Sequence, residues 1–169
     1  YKVTVVADIS KMFLRINIHE SQRDLHRFLF RYSTSDCLRV WRYLTVLFGE
    51  KSSPFLANAT IRHHASLPEM VERYPKAVQV VDEDEMYADD ATTGEFSEEE
   101  AKVLYTKLVA FFHSMGMSLQ KFTSNSKVFL DHVTPDKRSS DTKKTCVLGV
   151  EYLPQEDKLY VQTRQRLAP

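Results

Sequence analysis

The chain has 169 residues, 43% of them hydrophobic and 27% charged, the balance of a folded globular protein rather than a disordered or fibrous one. Its 23 Lys and Arg match its 23 Asp and Glu, which argues against a uniformly basic coating protein, and two cysteines, Cys37 and Cys146, exclude a disulfide framework and fit a reducing, intracellular setting. Four glycines supply no GxGxxG or P-loop cradle, no apolar run reaches the ~18 residues of a membrane span, and the opening Tyr1-Lys2-Val3-Thr4 does not read as a secretory leader.

Residues 2–8 form a β-branched run that predicts a buried strand ending on a carboxylate. Residues 12–18 predict a helical turn. Residues 27–32 and 38–47 read as two strands joined by the polar turn Ser33-Thr34-Ser35-Asp36. Ser53-Pro54 opens a helix, with Ser at the N-cap and Pro in the first turn, that runs to about Ser66. Residues 77–81 read as a strand, as does an acid-rich piece over 86–92. Ser97-Glu98-Glu99-Glu100 is a capping box, and Leu104, Leu108, Phe111, Phe112 and Met115 then recur at helical spacing until Gly116 stops the helix. Short strands follow near 127–131 and 146–152, the latter pairing with 158–162 across Pro154-Gln155-Glu156-Asp157.

No repeat or linker divides the chain, so residues 1–169 read as one unit, with a two-strand insert over 14–52 and a final hairpin over 146–163. The order strand, helix, two strands, helix, strand is an α+β pattern. It predicts a split βαββαβ antiparallel sheet with helices on one face.

The charge is unevenly placed. Residues 82–100 hold ten acids and no Lys or Arg, so the other segments carry 23 basic against 13 acidic residues. Phosphodiester synthesis by two metals needs carboxylates from separate strands at one point, with the ions about 3.5–4 Å apart. In a split βαββαβ sheet the first strand and the following hairpin lie side by side. Asp8 is thereby expected to meet Asp89 and Asp90, although 81 positions separate Asp8 from Asp89. Other constellations fail: His19-Glu20 lacks the second His of a zinc HExxH, and the stretch from Asp82 lacks the glycine and terminal Glu of a calcium loop.

Tyr87-Ala88-Asp89-Asp90 resembles the YxDD box of reverse transcriptases, and Ala7-Asp8-Ile9-Ser10-Lys11-Met12-Phe13 resembles their first palm motif, an Asp followed five residues later by an aromatic. Tyr43-Leu44-Thr45-Val46-Leu47-Phe48-Gly49 with Ser52-Ser53-Pro54-Phe55 is similar to their nucleotide-pocket motif. Residues 117–121 with Ser124-Asn125-Ser126 resemble the segment after the second palm helix, which ends in a Lys. Val147-Leu148-Gly149-Val150 resembles the hairpin that grips the primer. All five occur in the family's order, and their wording is closest to LTR retrotransposons of the BEL/Pao type. The chain therefore resembles the reverse-transcriptase palm, with part of the fingers, of such an element.

That resemblance implies an RNA-directed DNA polymerase that joins a deoxynucleoside triphosphate (dNTP) to a primer 3′-OH on an RNA or DNA template. Asp8, Asp89 and Asp90 would hold two Mg²⁺ ions (or Mn²⁺), with the carbonyl of Ile9 also near a metal. Phe13 would lie under the incoming sugar and select deoxynucleotides, while Phe48, Gly49 and Tyr87 would shape the nucleotide pocket. Lys121 would donate a proton to the leaving pyrophosphate, and Leu148 and Gly149 would seat the primer end. The upstream fingers, thumb and RNase H domain would lie elsewhere in the polyprotein, and no membrane partner is expected.

Two places depart from the family pattern. Glu50 follows Gly49 where an apolar residue is expected. Asp82-Glu83-Asp84-Glu85 stands where the family has an apolar strand; four adjacent acids predict either a bulge to solvent or a shortened strand. These departures support an alternative: a decayed, non-catalytic relic that keeps the fold and binds nucleic acid or protein weakly. A metal-dependent phosphodiester hydrolase using the same carboxylates is a third reading, which the nucleotide-pocket motif around Gly49 and Pro54 argues against.

Overall fold

The computed structural model describes all residues except 84, 142, 143, 148, 149 and 162–169. In chain order the strands are β1 (Val3–Ile9), β2 (Arg27–Phe30), β3 (Arg39–Arg42), β4 (Met86–Tyr87), β5 (Asp90–Glu95), β6 (Leu119–Thr123), β7 (Thr145–Val147), β8 (Val150–Leu153) and β9 (Lys158–Val161). The helices are α1 (Ser53–Ala65), α2 (Pro68–Arg73), α3 (Pro75–Asp82), α4 (Glu98–Ser114) and α5 (Lys127–His132). Residues 1–10 with 62–169 form one unit and residues 11–61 a second. The protein is mixed α+β with antiparallel sheets, and none of its described helices is long and apolar enough to cross a membrane.

The first unit is built on a four-stranded sheet in the order β4-β5-β1-β6. β1 is the apolar run Val3 to Ile9, buried at Val3, Val5, Val6, Ala7 and Ile9, which suits a central strand covered on both faces. Helix α4 packs on β1, β5 and β6 and against α3 and α5. The Ser97 side chain caps α4 by accepting from the Glu100 amide. Leu104, Leu108, Phe111 and Phe112 form its buried stripe, and Gly116 leaves the helix at φ 77°, a conformation that favours glycine. A separate sheet in the order β7-β8-β9 contains the expected final hairpin.

Two expectations are corrected here. Residues 77–81 lie in helix α3 instead of a strand. Pro75 opens the helix at its first turn, and Ala77, Val78, Val80 and Val81 are buried with α3 packed on α4, so packing overrides the strand preference of valine. Residues 127–131 are likewise helical: the Ser126 hydroxyl accepts from the Phe129 amide and caps α5. The sheet's remaining strand is β6, within the stretch after α4.

The acidic run takes the shortened-strand form. Asp82 ends α3, Glu83 is exposed, and β4 is only two residues long. Glu85 accepts a hydrogen bond from the Tyr1 hydroxyl; that bond foremost pushes the Tyr1 pKa up to about 12.

In the second unit, residues 16–18 pair with 44–46 through Ile18 N–H to Leu44 O (2.8 Å) and Val46 N–H to Ile16 O (2.9 Å), and Ile18 and Val46 are buried. β2 and β3 form a hairpin with Phe28 opposite Trp41 and Phe30 opposite Arg39 on one face. Phe28 stacks on Tyr43 with centroids 4.4 Å apart, and Phe30 and Tyr32 meet Trp41 edge-on. Glu50, unexpected in the sequence, is paired: its carboxylate lies 2.8 Å from His26 Nδ1.

Candidate active site

The antiparallel register of β1 on β5 runs from Val3 opposite Glu95 to Asp8 opposite Asp90. Directly opposed residues project from the same face, so the two carboxylates lie together at one end of the sheet. Beyond them the Ile9 amide donates to the Asp89 carbonyl at 2.7 Å, and the Ser10 amide donates to the Ser118 carbonyl at 2.9 Å. The first of these bonds pins the tip of the β4–β5 hairpin onto β1.

That tip is a two-residue loop. Tyr87 pairs with Asp90, which leaves Ala88 and Asp89 as the turn. Ala88 sits at φ 52°, in the left-handed region that alanine enters at a cost of about 1 kcal/mol. Hairpin turns of this length ask for positive φ at the first central position and normally take Gly or Asn there.

On the other side of β1, Val6 pairs with Thr123 and Asp8 with Gln120, so β6 carries one extra residue in that interval. This is a β-bulge, and Lys121 within it has φ 56°. The Lys121 Nζ lies 3.3 Å from Asp8 Oδ2; the lysine side chain is 69% exposed and the aspartate 23%. Burial pushes the Asp90 carboxyl above its usual range, and the Asp89 and Asp8 charges add to the rise while Lys121 opposes it. Three carboxylates and one ammonium thus interact at one sheet end.

Carboxylate oxygens are the donors that Mg²⁺ and Mn²⁺ take, and in kind Asp8, Asp89, Asp90 and the Ile9 carbonyl fit such an ion. Among the described residues, however, no three His, Cys, Asp or Glu side chains converge closely enough to hold a metal.

The residues assigned to the nucleotide pocket divide between the units. Phe13, Phe48 and Gly49 belong to the second, whereas Tyr87 stands exposed in the first. Phe13 lies on a 3-10 turn over Met12–Arg15 and meets Phe48 edge-on, with ring centroids 5.0 Å apart. Gly49 has φ 84° with open space where a Cβ would stand, so its requirement is conformational rather than steric. Leu148 and Gly149 lie outside the described residues.

Sequence reasoning anticipated that Asp8 meets the Asp89-Asp90 turn but missed two features of that neighbourhood, the left-handed Ala88 and the bulge at Lys121. A two-residue gap between short strands signals the first. The second has no signal, because such bulges favour Gly and the position holds Lys. No model of a known protein family matches the chain, and no curated protein matches it.

Proposed function

We propose that the chain is the palm, with part of the fingers, of an RNA-directed DNA polymerase similar to those of BEL/Pao-like LTR retrotransposons. The observation that carries this reading is the pairing of Asp8 with Asp90, 82 positions away, at a hairpin tip that reads Tyr87-Ala88-Asp89-Asp90. Asp8 is held by β1 and Asp90 by β5, on adjacent strands of one sheet. Asp8, Asp89 and Asp90 would hold the metal ions. Two bound Mg²⁺ ions would supply a lowered pKa at the primer hydroxyl and charge to offset the leaving pyrophosphate. Lys121, whose Nζ lies 3.3 Å from Asp8 Oδ2, is our candidate donor to the leaving oxygen. Phe13, Phe48, Gly49 and Tyr87 are assigned to the nucleotide on the strength of the motifs they occupy.

The β2–β3 hairpin supports a nucleic-acid partner. It carries Arg27, Arg31, Arg39 and Arg42 among exposed aromatic rings, and Arg39 has no ion-pair partner among the described residues. Trp41 is the chain's single tryptophan, so its fluorescence reports on this hairpin directly. A primed template is expected to quench it. If about three phosphates are neutralised, affinity should drop roughly 40-fold between 50 and 200 mM salt. Unchanged emission at saturating template would remove the hairpin from the interface.

The test of the reading itself is primer extension. The chain, a primed RNA template, four dNTPs and Mg²⁺ should lengthen the primer, and chelation of the metal should stop it. The absence of a converged three-carboxylate group favours the second reading, a palm-like domain that binds nucleic acid without transfer. Trp41 quenching with no extension in either Mg²⁺ or Mn²⁺ would select it.

A further inference from the structure

We propose that the groove between the α2–α3 junction and helix α4 binds an acidic peptide segment of a partner protein. A carboxylate of that segment is held by Arg73, Lys107 and the Tyr74 hydroxyl, and a neighbouring apolar side chain lies on Val109 and Ala110. The groove belongs wholly to the first unit. It goes beyond the polymerase reading, in which none of these residues has a role.

The first argument is a phenol with nothing to bond. Tyr74 joins α2 to α3 and is only 6% exposed. Its ring meets Phe111 edge-on, with centroids 6.1 Å apart. The other hydroxyls that line the groove are used inside the fold. Tyr105 bonds Thr134 (3.4 Å), Thr106 donates to the Lys102 carbonyl (3.0 Å) and Ser114 donates to the Phe111 carbonyl (2.6 Å). The Tyr74 hydroxyl has no hydrogen-bond partner among the described residues, and none of their unbonded side-chain oxygens is sealed from solvent. It therefore meets the groove as an unused donor, whereas the hydroxyl of a buried tyrosine ordinarily has a partner.

The second is a pair of cations with no carboxylate. The Arg73 guanidinium carbon lies 5.3 Å from the Tyr74 ring centroid, and Lys107 Nζ lies 5.9 Å from it. The neighbouring lysines are paired, Lys76 with Glu95 and Lys102 with Glu99. Arg73 and Lys107 are in no ion pair among the described residues. A ring face attracts a cation but accepts no N–H fork, so the guanidinium edge stays available to a carboxylate. Three donors thus surround one ring.

The groove's lining selects the occupant. It encloses about 560 Å³, with Val109 and Ala110 as a half-buried apolar floor. A lone anion would leave that floor uncovered. A nucleic-acid strand would bring phosphates, but its bases would find no exposed ring to stack on, since Tyr74 and Tyr105 are both buried. An acidic residue beside an apolar one supplies both halves, charge for the cations and area for the floor.

The test is fluorescence anisotropy with the whole chain and a fluorescein-labelled, acetylated nonapeptide of repeating Glu-Glu-Leu. Its Lys-Lys-Leu counterpart and a labelled single-stranded DNA oligonucleotide are titrated beside it. The parent should bind the acidic peptide saturably and the basic one not at all. Tyr74→Phe, Arg73→Gln and Lys107→Gln should each weaken binding about fivefold. Ala110→Glu, which sets a carboxylate on the floor, should abolish it, and Lys102→Gln on the same helix should leave it unchanged. Tyr74→Phe keeps the buried ring, so its effect is read on a folded protein, as melting curves of every variant verify. No saturable binding of the acidic peptide by the parent would overturn the inference. So would equal affinity for the basic peptide, or unchanged affinity in Tyr74→Phe or in both cation variants. Tighter binding of the oligonucleotide, weakened by the same substitutions, would give the groove to nucleic acid and overturn the peptide.

Discussion

Asp90→Asn is expected to raise the melting temperature at pH 7 by roughly 1–3 °C while lowering primer extension on the order of 10³-fold. The stability half follows from the raised Asp90 pKa, caused first by burial and then by the charges of Asp89 and Asp8. A carboxyl whose pKa is higher in the folded than in the unfolded chain binds more protons when folded. Stability then falls as pH rises from the unfolded value through the folded one, and the penalty is complete above both. At pH 7 the parent bears that penalty and the asparagine variant does not. The gain is kept small because the site is partly open to solvent, which screens the charges. Lys121 already offsets part of the repulsion.

The activity half follows because an amide cannot supply the charge that two metal ions require. Melting curves of both proteins between pH 4 and 8, with extension assays on the same samples, check the two halves together. The curves should separate at neutral pH and converge on the acid side. A variant that melts below the parent at pH 7 would show that Asp90 is a structural carboxylate, and the opposed-charge account would fail.

How far the sequence could be read depends on which forces fix each element. β1, α1 and α4 were legible because local signals and burial agree: a β-branched run, a Ser-Pro start and a capping box; the β8–β9 hairpin was legible from its Pro-to-Asp turn alone, since β9 is exposed throughout. α3 was not, since Val78, Val80 and Val81 prefer strands and only the packing of α3 on α4 makes them helical. α5 was missed because Ser126 was read within a motif instead of as a cap. For the site, the topology was legible and the register was not. A split sheet brings Asp8 beside the Asp89-Asp90 turn, but a shift of one residue would send Asp90 to the opposite face, and no local residue signals that choice. Glu50 shows the same limit from another side. Its His26 partner is 24 positions away in sequence, and nothing in that spacing announces the pair.

The largest stability effect is expected at Phe111. Its side chain is fully buried on α4, and its ring meets Phe112 at 5.3 Å, Tyr74 at 6.1 Å and His64 at 5.3 Å between centroids. Phe111→Ala removes most of a ring and leaves a cavity among groups that are themselves held: Phe112 shares the helix, Tyr74 joins α2 to α3, and His64 is hydrogen-bonded to Ser114 at 2.8 Å. With so little freedom to collapse, the site should lose about 3–5 kcal/mol, or roughly 6–20 °C in melting temperature. Phe111→Leu keeps much of the volume and should lose less than half as much. Val103 on the same helix is exposed, and Val103→Ala should move the midpoint by no more than about 0.5 kcal/mol. Urea unfolding of the four proteins separates these outcomes, with an unchanged slope identifying a native-state effect. Because α4 packs on the strands that carry Asp8 and Asp90, Phe111→Ala should reduce extension in proportion to the unfolded fraction and leave the activity of each folded molecule unchanged. A Phe111→Ala midpoint within 1 kcal/mol of the parent would mean that α4 does not anchor this core.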